Sequence, residues 1–140
     1  MSGTLRLEIV TPLEVAYSAD VEMVTLPGVS GQIGIYPQHT PLLTRIVPGE
    51  MTVRLDGRDE SFAIGHGLVE VTPEGVAIAT DMAVAVDRID EARVEEARRQ
   101  AELRLRERLS AEEVATVNAS LARSLAQLRV KQSVGRHRRP

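Results

Sequence analysis

The side chains able to titrate or react near neutral pH are few: three histidines, at 39, 66 and 137, and no cysteine. One histidine sits in the densest cluster of special residues, GQIGIYPQHTPLL, Gly31 to Leu43. The cluster gathers two glycines, two prolines, Tyr36 and His39. Three chemistries use such a set: a phosphate cradle, a catalytic loop, or a rigid docking surface. A phosphate loop needs G-x-x-x-x-G-K-[ST] between a strand and a helix, so that a run of amides faces the anion. Here Gly34 leads into Ile35-Tyr36-Pro37, no lysine follows, and Pro37 and Pro41 each delete an amide donor. Catalysis at His39 needs a partner, and the three histidines show no ligand-like spacing such as HxxxH. No G-x-S-x-G elbow occurs, nor an S-x-x-K with its supporting motifs. An enzyme site around Tyr36 and His39 is therefore a weak reading. His39 reads as a loop histidine bonded to backbone or as a contact residue. His66, inside Gly65-His66-Gly67, reads as a turn residue. A shaped docking surface remains.

Something must hold that surface rigid. At 140 residues the chain is long enough for a core, and with aromatics at 2% the core must be aliphatic. The lack of cysteine removes disulfides and thiolate metal sites and fits a reducing compartment. No segment approaches the roughly 20 apolar residues of a membrane span, and MSGTLRLEIV has no basic start before an apolar run. The expectation is a soluble, cytoplasmic chain without a targeting signal.

The net charge of −3 hides an asymmetry. Residues 1–88 carry five basic and twelve acidic side chains; residues 89–140 carry twelve and eight. Opposite signs suggest two modules with different partners. Lys131 is the only lysine, so the positive charge is mostly arginine, a bidentate donor for carboxylates and phosphates. An acidic first half almost without aromatics argues against nucleic acid.

Residues 1–87 alternate as strands do. Leu5, Leu7 and Ile9 share one face of LRLEIVT, with Arg6 and Glu8 on the other. The pattern recurs in VEMVTLP, LLTRIV, MTVRLDG, ESFAI, LVEVT, VAIAT and AVAVD, separated by Gly and Pro turn signals. Frequent short strands without intervening helices predict a sandwich or barrel. From Asp87-Arg88 to Gln132 there is neither Pro nor Gly until Gly135, and Ala, Glu, Arg and Leu dominate. Val94, Ala97, Ala101, Leu105 and Leu109 form one stripe; Val114, Val117, Leu121, Leu125 and Leu128 form another. Ser110-Ala111-Glu112-Glu113 fits a capping box between them. The prediction is an N-terminal antiparallel β-sandwich, residues 1–87, followed by an α-helical hairpin, residues 88–133, jointed near 109–111. A single long helix is the alternative to the hairpin. Residues 134–140 read as a basic disordered tail.

Three features together resemble a known family: VEMVTLPGVSGQIGIYPQHTPLLT, the later GLVEV, and IDEAR opening a helix. They resemble the epsilon subunit of F-type ATP synthases, called delta in mitochondria, along the whole chain. The resemblance implies a sandwich of about ten strands and a helical hairpin, with no catalytic residues. It implies a rotor-stalk subunit at the cytoplasmic face of a bacterial inner membrane, peripheral to it, that couples proton flow to ATP synthesis. The partners implied are the gamma subunit, the c-ring of the membrane sector, and the alpha/beta head if the helices extend. Gln32, Ile33, Tyr36, His39 and Leu42 would be docking residues. Gln32 stands where some relatives carry an acidic residue, which leaves that contact to hydrogen bonds, backbone and shape. Extended helices would brake ATP hydrolysis, and the positive charge of the hairpin suits an acidic stretch of the beta subunit. No cofactor is required, but some relatives bind ATP between the helices through I/L-D-x-x-R-A as a regulatory ligand. Ile89, Asp90 and Arg93 match that motif, with Val94 in place of Ala; Arg123 would contact phosphate, and Gln127 stands where those relatives have a second Arg. Asp90 and Arg93 also have local readings, as a helix N-cap and a first-turn surface residue. A stand-alone ATP-sensing protein is the alternative function.

Overall fold

A computed structural model of the chain describes residues 3–137, with side chains described as far as Val134. Ten strands come first: β1 (Leu5–Val10), β2 (Val15–Val21), β3 (Met23–Gly28), β4 (Gly31–Ile35), β5 (Leu42–Ile46), β6 (Gly49–Leu55), β7 (Arg58–Ile64), β8 (Gly67–Thr72), β9 (Gly75–Thr80) and β10 (Ala83–Ala85). A single 3-10 turn, Val86–Arg88, leads to α1 (Glu91–Arg104) and α2 (Ala111–His137).

The strands hydrogen-bond in the order β10-β7-β6-β3-β5-β8-β9-β1-β2, and β4 pairs with β3 off this path. Every pairing is antiparallel except β1 with β9. At that parallel seam Gly75 has φ +150°, and a Cβ there would meet the Arg6 carbonyl oxygen. Only glycine combines that backbone with that approach. The curled sheet encloses an aliphatic core in which Leu7, Ile9, Leu26, Ile35, Ile64 and Ile78 are almost wholly buried. Tyr17 meets Phe62 edge to face, with ring centroids 5.2 Å apart and planes at 77°.

The alternation locates eight of the ten strands. It passes over β2, whose inward side chains include the small Ala19, and β4, whose two glycines weaken the signal. Gly31–Ile35, expected as part of a loop entering a strand at Leu42, is itself an edge strand. Its pairing with β3 runs from Val24 with Ile35 to Gly28 with Gly31.

The hairpin forms, and its joint begins earlier than expected while α2 starts at Ala111. α1 ends at Arg104, and the amides of Leu105, Arg106 and Glu107 fold back on the carbonyls of Ala101, Leu103 and Arg104. Of the expected stripe Val94 and Ala101 are buried, Leu105 and Leu109 are half-buried within the joint, and Ala97 is exposed. The capping box is present. Ser110 Oγ accepts from the Glu113 amide at 3.1 Å, and Glu113 Oε1 accepts from the Ser110 amide at 3.1 Å. α2 continues through His137, so 134–137 are helical where a disordered tail was expected. Residues 138–140 lie outside the described residues.

The hairpin lies folded on the sandwich. Ala126, Leu128 and Val130 of α2 and Val94 of α1 join Ala63, Met82, Val86 and Ile89 in a second buried cluster. The face that buries is not the whole expected stripe: Leu128 is buried, Val114, Val117 and Leu121 are half-buried, and Leu125 is exposed.

Candidate functional site

The opening cluster forms one side of the sandwich. After β4 the chain makes a tight turn in which the His39 amide donates to the Tyr36 carbonyl at 3.2 Å. Pro37 presets the second residue of the turn, and Gln38 takes φ 67°, so the turn is type II. His39 Nδ1 lies 2.6 Å from the Thr40 carbonyl oxygen, which fixes the ring to its own backbone. Tyr36 and His39 stand at an open cleft of ≈590 Å³, shared with the Arg6–Asp20 pair and the Thr72–Gly75 turn.

The five expected docking residues divide in two. Gln32 and Tyr36 are exposed and His39 is half-exposed. Ile33 and Leu42 turn inward and pack against the sandwich core, because they pair with the buried Leu26 and Val71. Leu43, one residue on, takes the outward place.

Leu43 leads to a surface the sequence reading did not isolate. Cross-strand register places Val15 beside Val10, Val10 beside Ala79, Ala79 beside Leu68, and Leu68 beside Arg45. These residues make one row across five strands on the outer face. Leu43 sits diagonally from Leu68, since it pairs with Glu70. Leu13 is 94% exposed, Leu43 67%, Val15 58% and Leu68 49%. Scattered apolar residues on a surface are ordinary, but a contiguous row of this kind marks a docking face. The available signal was faint: Val10 and Leu68 stand at outward positions of alternating strands, where a polar residue is the norm.

Three of the four residues matched to an ATP motif are engaged locally. Ile89 is buried in the second cluster. Asp90 caps α1, its Oδ1 accepting from the Arg93 amide at 3.2 Å, and the Arg93 side chain is exposed. Arg123, on α2, pairs with Asp81 at 3.3 Å. Gln127 donates to the Met82 sulfur at 3.2 Å.

Much of the arginine charge is answered within the hairpin. Arg98 bonds Glu102 at 2.7 Å and also Glu95; Arg99 bonds Glu96, and Arg104 bonds Glu107 at 2.5 Å. The bond from Arg99 holds the Glu96 carboxyl below its usual range, and the bond that Arg98 donates to Glu95 pushes the Arg98 guanidinium up. Among the described residues no cluster of His, Asp and Glu suits a metal ion, and no helix is long and apolar enough to cross a membrane.

Residues 4–86 match the family model of the ATP synthase delta/epsilon chain β-sandwich domain, and residues 87–132 match its long α-helix domain. The boundary between the two models coincides with the turn between β10 and α1. The chain is 44% identical over 126 residues to the ATP synthase epsilon chain of Herpetosiphon aurantiacus, covering 90% of this chain and 93% of that one. It is 40% identical over 140 residues to that of Herminiimonas arsenicoxydans, covering 99% and 100%. In fold it is similar to a chain of the Euglena gracilis mitochondrial ATP synthase, with TM-score 0.66 at 18% identity, covering 96% of this chain and 81% of that one. A chain from the central stalk and c-ring of the Tetrahymena thermophila enzyme gives TM-score 0.60 at 17% identity, covering 91% and 96%. From strand order to hairpin, and across both of its modules, the chain belongs to the ATP synthase delta/epsilon family.

Proposed function

We propose that this chain is a non-catalytic rotor-stalk subunit. It would link gamma to the c-ring on the cytoplasmic face of the membrane and couple proton flow to ATP synthesis. The observation that carries the reading is the exposed row Val15–Val10–Ala79–Leu68 with Leu43 beside it. A face this apolar suits a permanent partner such as gamma, which would cover it and leave the charged rim of Arg45 and Glu70 to set orientation. The turn bearing Tyr36 and His39, with Gln32 on the neighbouring strand, offers polar contacts fixed by proline and backbone hydrogen bonds. Such a surface suits the short polar loops of a c-ring, where rigidity limits the entropy lost on docking.

The hairpin is the regulatory part of this reading: an arm that lies on the sandwich and extends toward the alpha/beta head to restrain ATP hydrolysis. Arg98, Arg99 and Arg104 on α1 already have glutamate partners, so exposed groups such as Arg129 would carry a first contact with an acidic surface. ATP as a regulatory ligand on Asp90, Arg93 and Arg123 would compete with Asp81 for Arg123. Calorimetric titration of the full chain to millimolar ATP without heat removes that ligand.

The docking reading is tested in the assembled complex. Leu68→Arg and Leu43→Arg lie on the outer face, so the sandwich should fold, while copurification with gamma should fall at least tenfold. Retention of both variants at the native level would overturn it.

A further inference from the structure

The second buried cluster explains why α2 lies on the sandwich but only in part why it adopts one register. Two of its α2 members, Ala126 and Val130, are one turn apart and small, and the half-buried Val134 follows another turn on. A slip of one turn would put Val130 in the place of Ala126 and Val134 in the place of Val130. Along this row only one position would change from methyl to isopropyl, which discriminates weakly, although Gln132 would also take the place of the buried Leu128.

Three polar side chains add to the discrimination. Arg123 Nη1 reaches Asp81 Oδ2 at 3.3 Å, Gln127 Nε2 donates to Met82 Sδ at 3.2 Å, and Lys131 Nζ donates to the Val86 carbonyl at 3.2 Å. Positions 123, 127 and 131 are four apart, so they form one row on the helix. Their partners fall in the same order along 81–86, the segment that carries β10 into α1. After a one-turn slip Asp81 would face neutral Gln127, and the Lys131 ammonium would face a thioether. The ion pair and the bond to the carbonyl would both be lost.

We propose that Arg123, Gln127 and Lys131 form a three-rung polar latch. Together with the buried Leu128 it fixes the register of α2, and it sets how readily the folded hairpin leaves the sandwich. The proposal rests on the reading of the hairpin as a movable arm and names what holds that arm down in this chain. The latch suits a reversible contact. Its ion pair is partly exposed, with side-chain exposures of 35% and 33% for Arg123 and Asp81, so each rung contributes little alone. Together the rungs select one register without making release slow.

Native-state hydrogen exchange on the full chain tests this. The α2 amides of 124–134 report release, and the β8 and β9 amides serve as the internal reference. Asp81→Asn and Arg123→Gln should each speed exchange of the α2 amides up to about fivefold, the most that a single partly exposed pair supports. The exchanged pair, Asp81→Arg with Arg123→Asp, should return the rate to within about twofold of native. Lys131→Met keeps the apolar stem and should speed exchange through loss of the carbonyl bond alone. Unchanged exchange in the single variants, or a double variant that opens as much as both singles together, would overturn the latch. ATP hydrolysis by the assembled complex is a separate readout. Latch variants that speed exchange but leave hydrolysis unaltered would remove the arm reading and leave the latch standing.

Discussion

Ser110 and Glu113 each satisfy an amide that the start of α2 would otherwise leave unpaired, and Glu113 also lies 3.5 Å from Arg104 at the end of α1. One carboxylate thus serves the cap and the joint. Ser110→Ala should cost about 1 kcal/mol, read as a lower urea midpoint at unchanged slope. The Glu113 carboxyl is held below its usual range, first by the Ser110 amide and then by its hydroxyl. A depressed folded-state pKa gives stability that is complete above the ordinary carboxylate range and lost as pH falls through the lowered value. The first turn of α2 should therefore loosen on acidification, seen as faster exchange at Glu113 and Val114 while β-sandwich amides hold. The cap was legible at this scale because a capping box needs only four consecutive residues. The opening cluster was legible in part. Its prolines excluded a phosphate loop, but Leu42 and Leu43 are both leucines, and alternation alone does not say which one turns inward.

At the scale of elements, the contact between α2 and the sandwich is close because Ala126 is small and 1% exposed. Ala126→Leu should push the helix off Met82 and Val86 and cost about 1–3 kcal/mol, measured by thermal unfolding. α2 was legible as a helix from its periodicity, but its buried face was not. Leu125 belongs to the apolar stripe and is exposed, whereas Ala126 and Ser124 beside it are buried. Helical spacing describes a stripe, and the stripe is blind to where the neighbouring sheet stands. β2 and β4 escaped for a related reason: small residues and glycines dilute a period-2 signal, while pairing with β1 and β3 makes them strands.

At the scale of the whole molecule, two buried clusters among the described residues meet at β7 and β10. The first contains no helical residue, and the second spans both modules. Truncation after Arg88 should therefore leave a folded sandwich with a lowered melting temperature, since Ala63, Met82 and Val86 would lose their cover. Near-native dispersion of β1 and β9 amides in NMR spectra would show this; a collapsed spectrum would mean that the helices complete the core. The opposed charges of the two halves matter here as well. Asp81 of the acidic half holds Arg123 of the basic half, so the asymmetry serves an internal contact as well as any external one.

The sequence by itself determined what depends on near neighbours: the alternation of eight strands, the Asp90 and Ser110 caps, the module boundary, and the motif that marks the family. Those signals arise within a few residues, where backbone geometry dictates which side chains share a face. Only the tertiary structure decided which outward positions line up into the row from Val15 to Leu68, which face of α2 buries, and that Arg123 answers Asp81. Each of these depends on register between segments far apart in the chain. Spacing along one segment carries no information about its partner, so register emerged only when the strands paired and the helix settled on them.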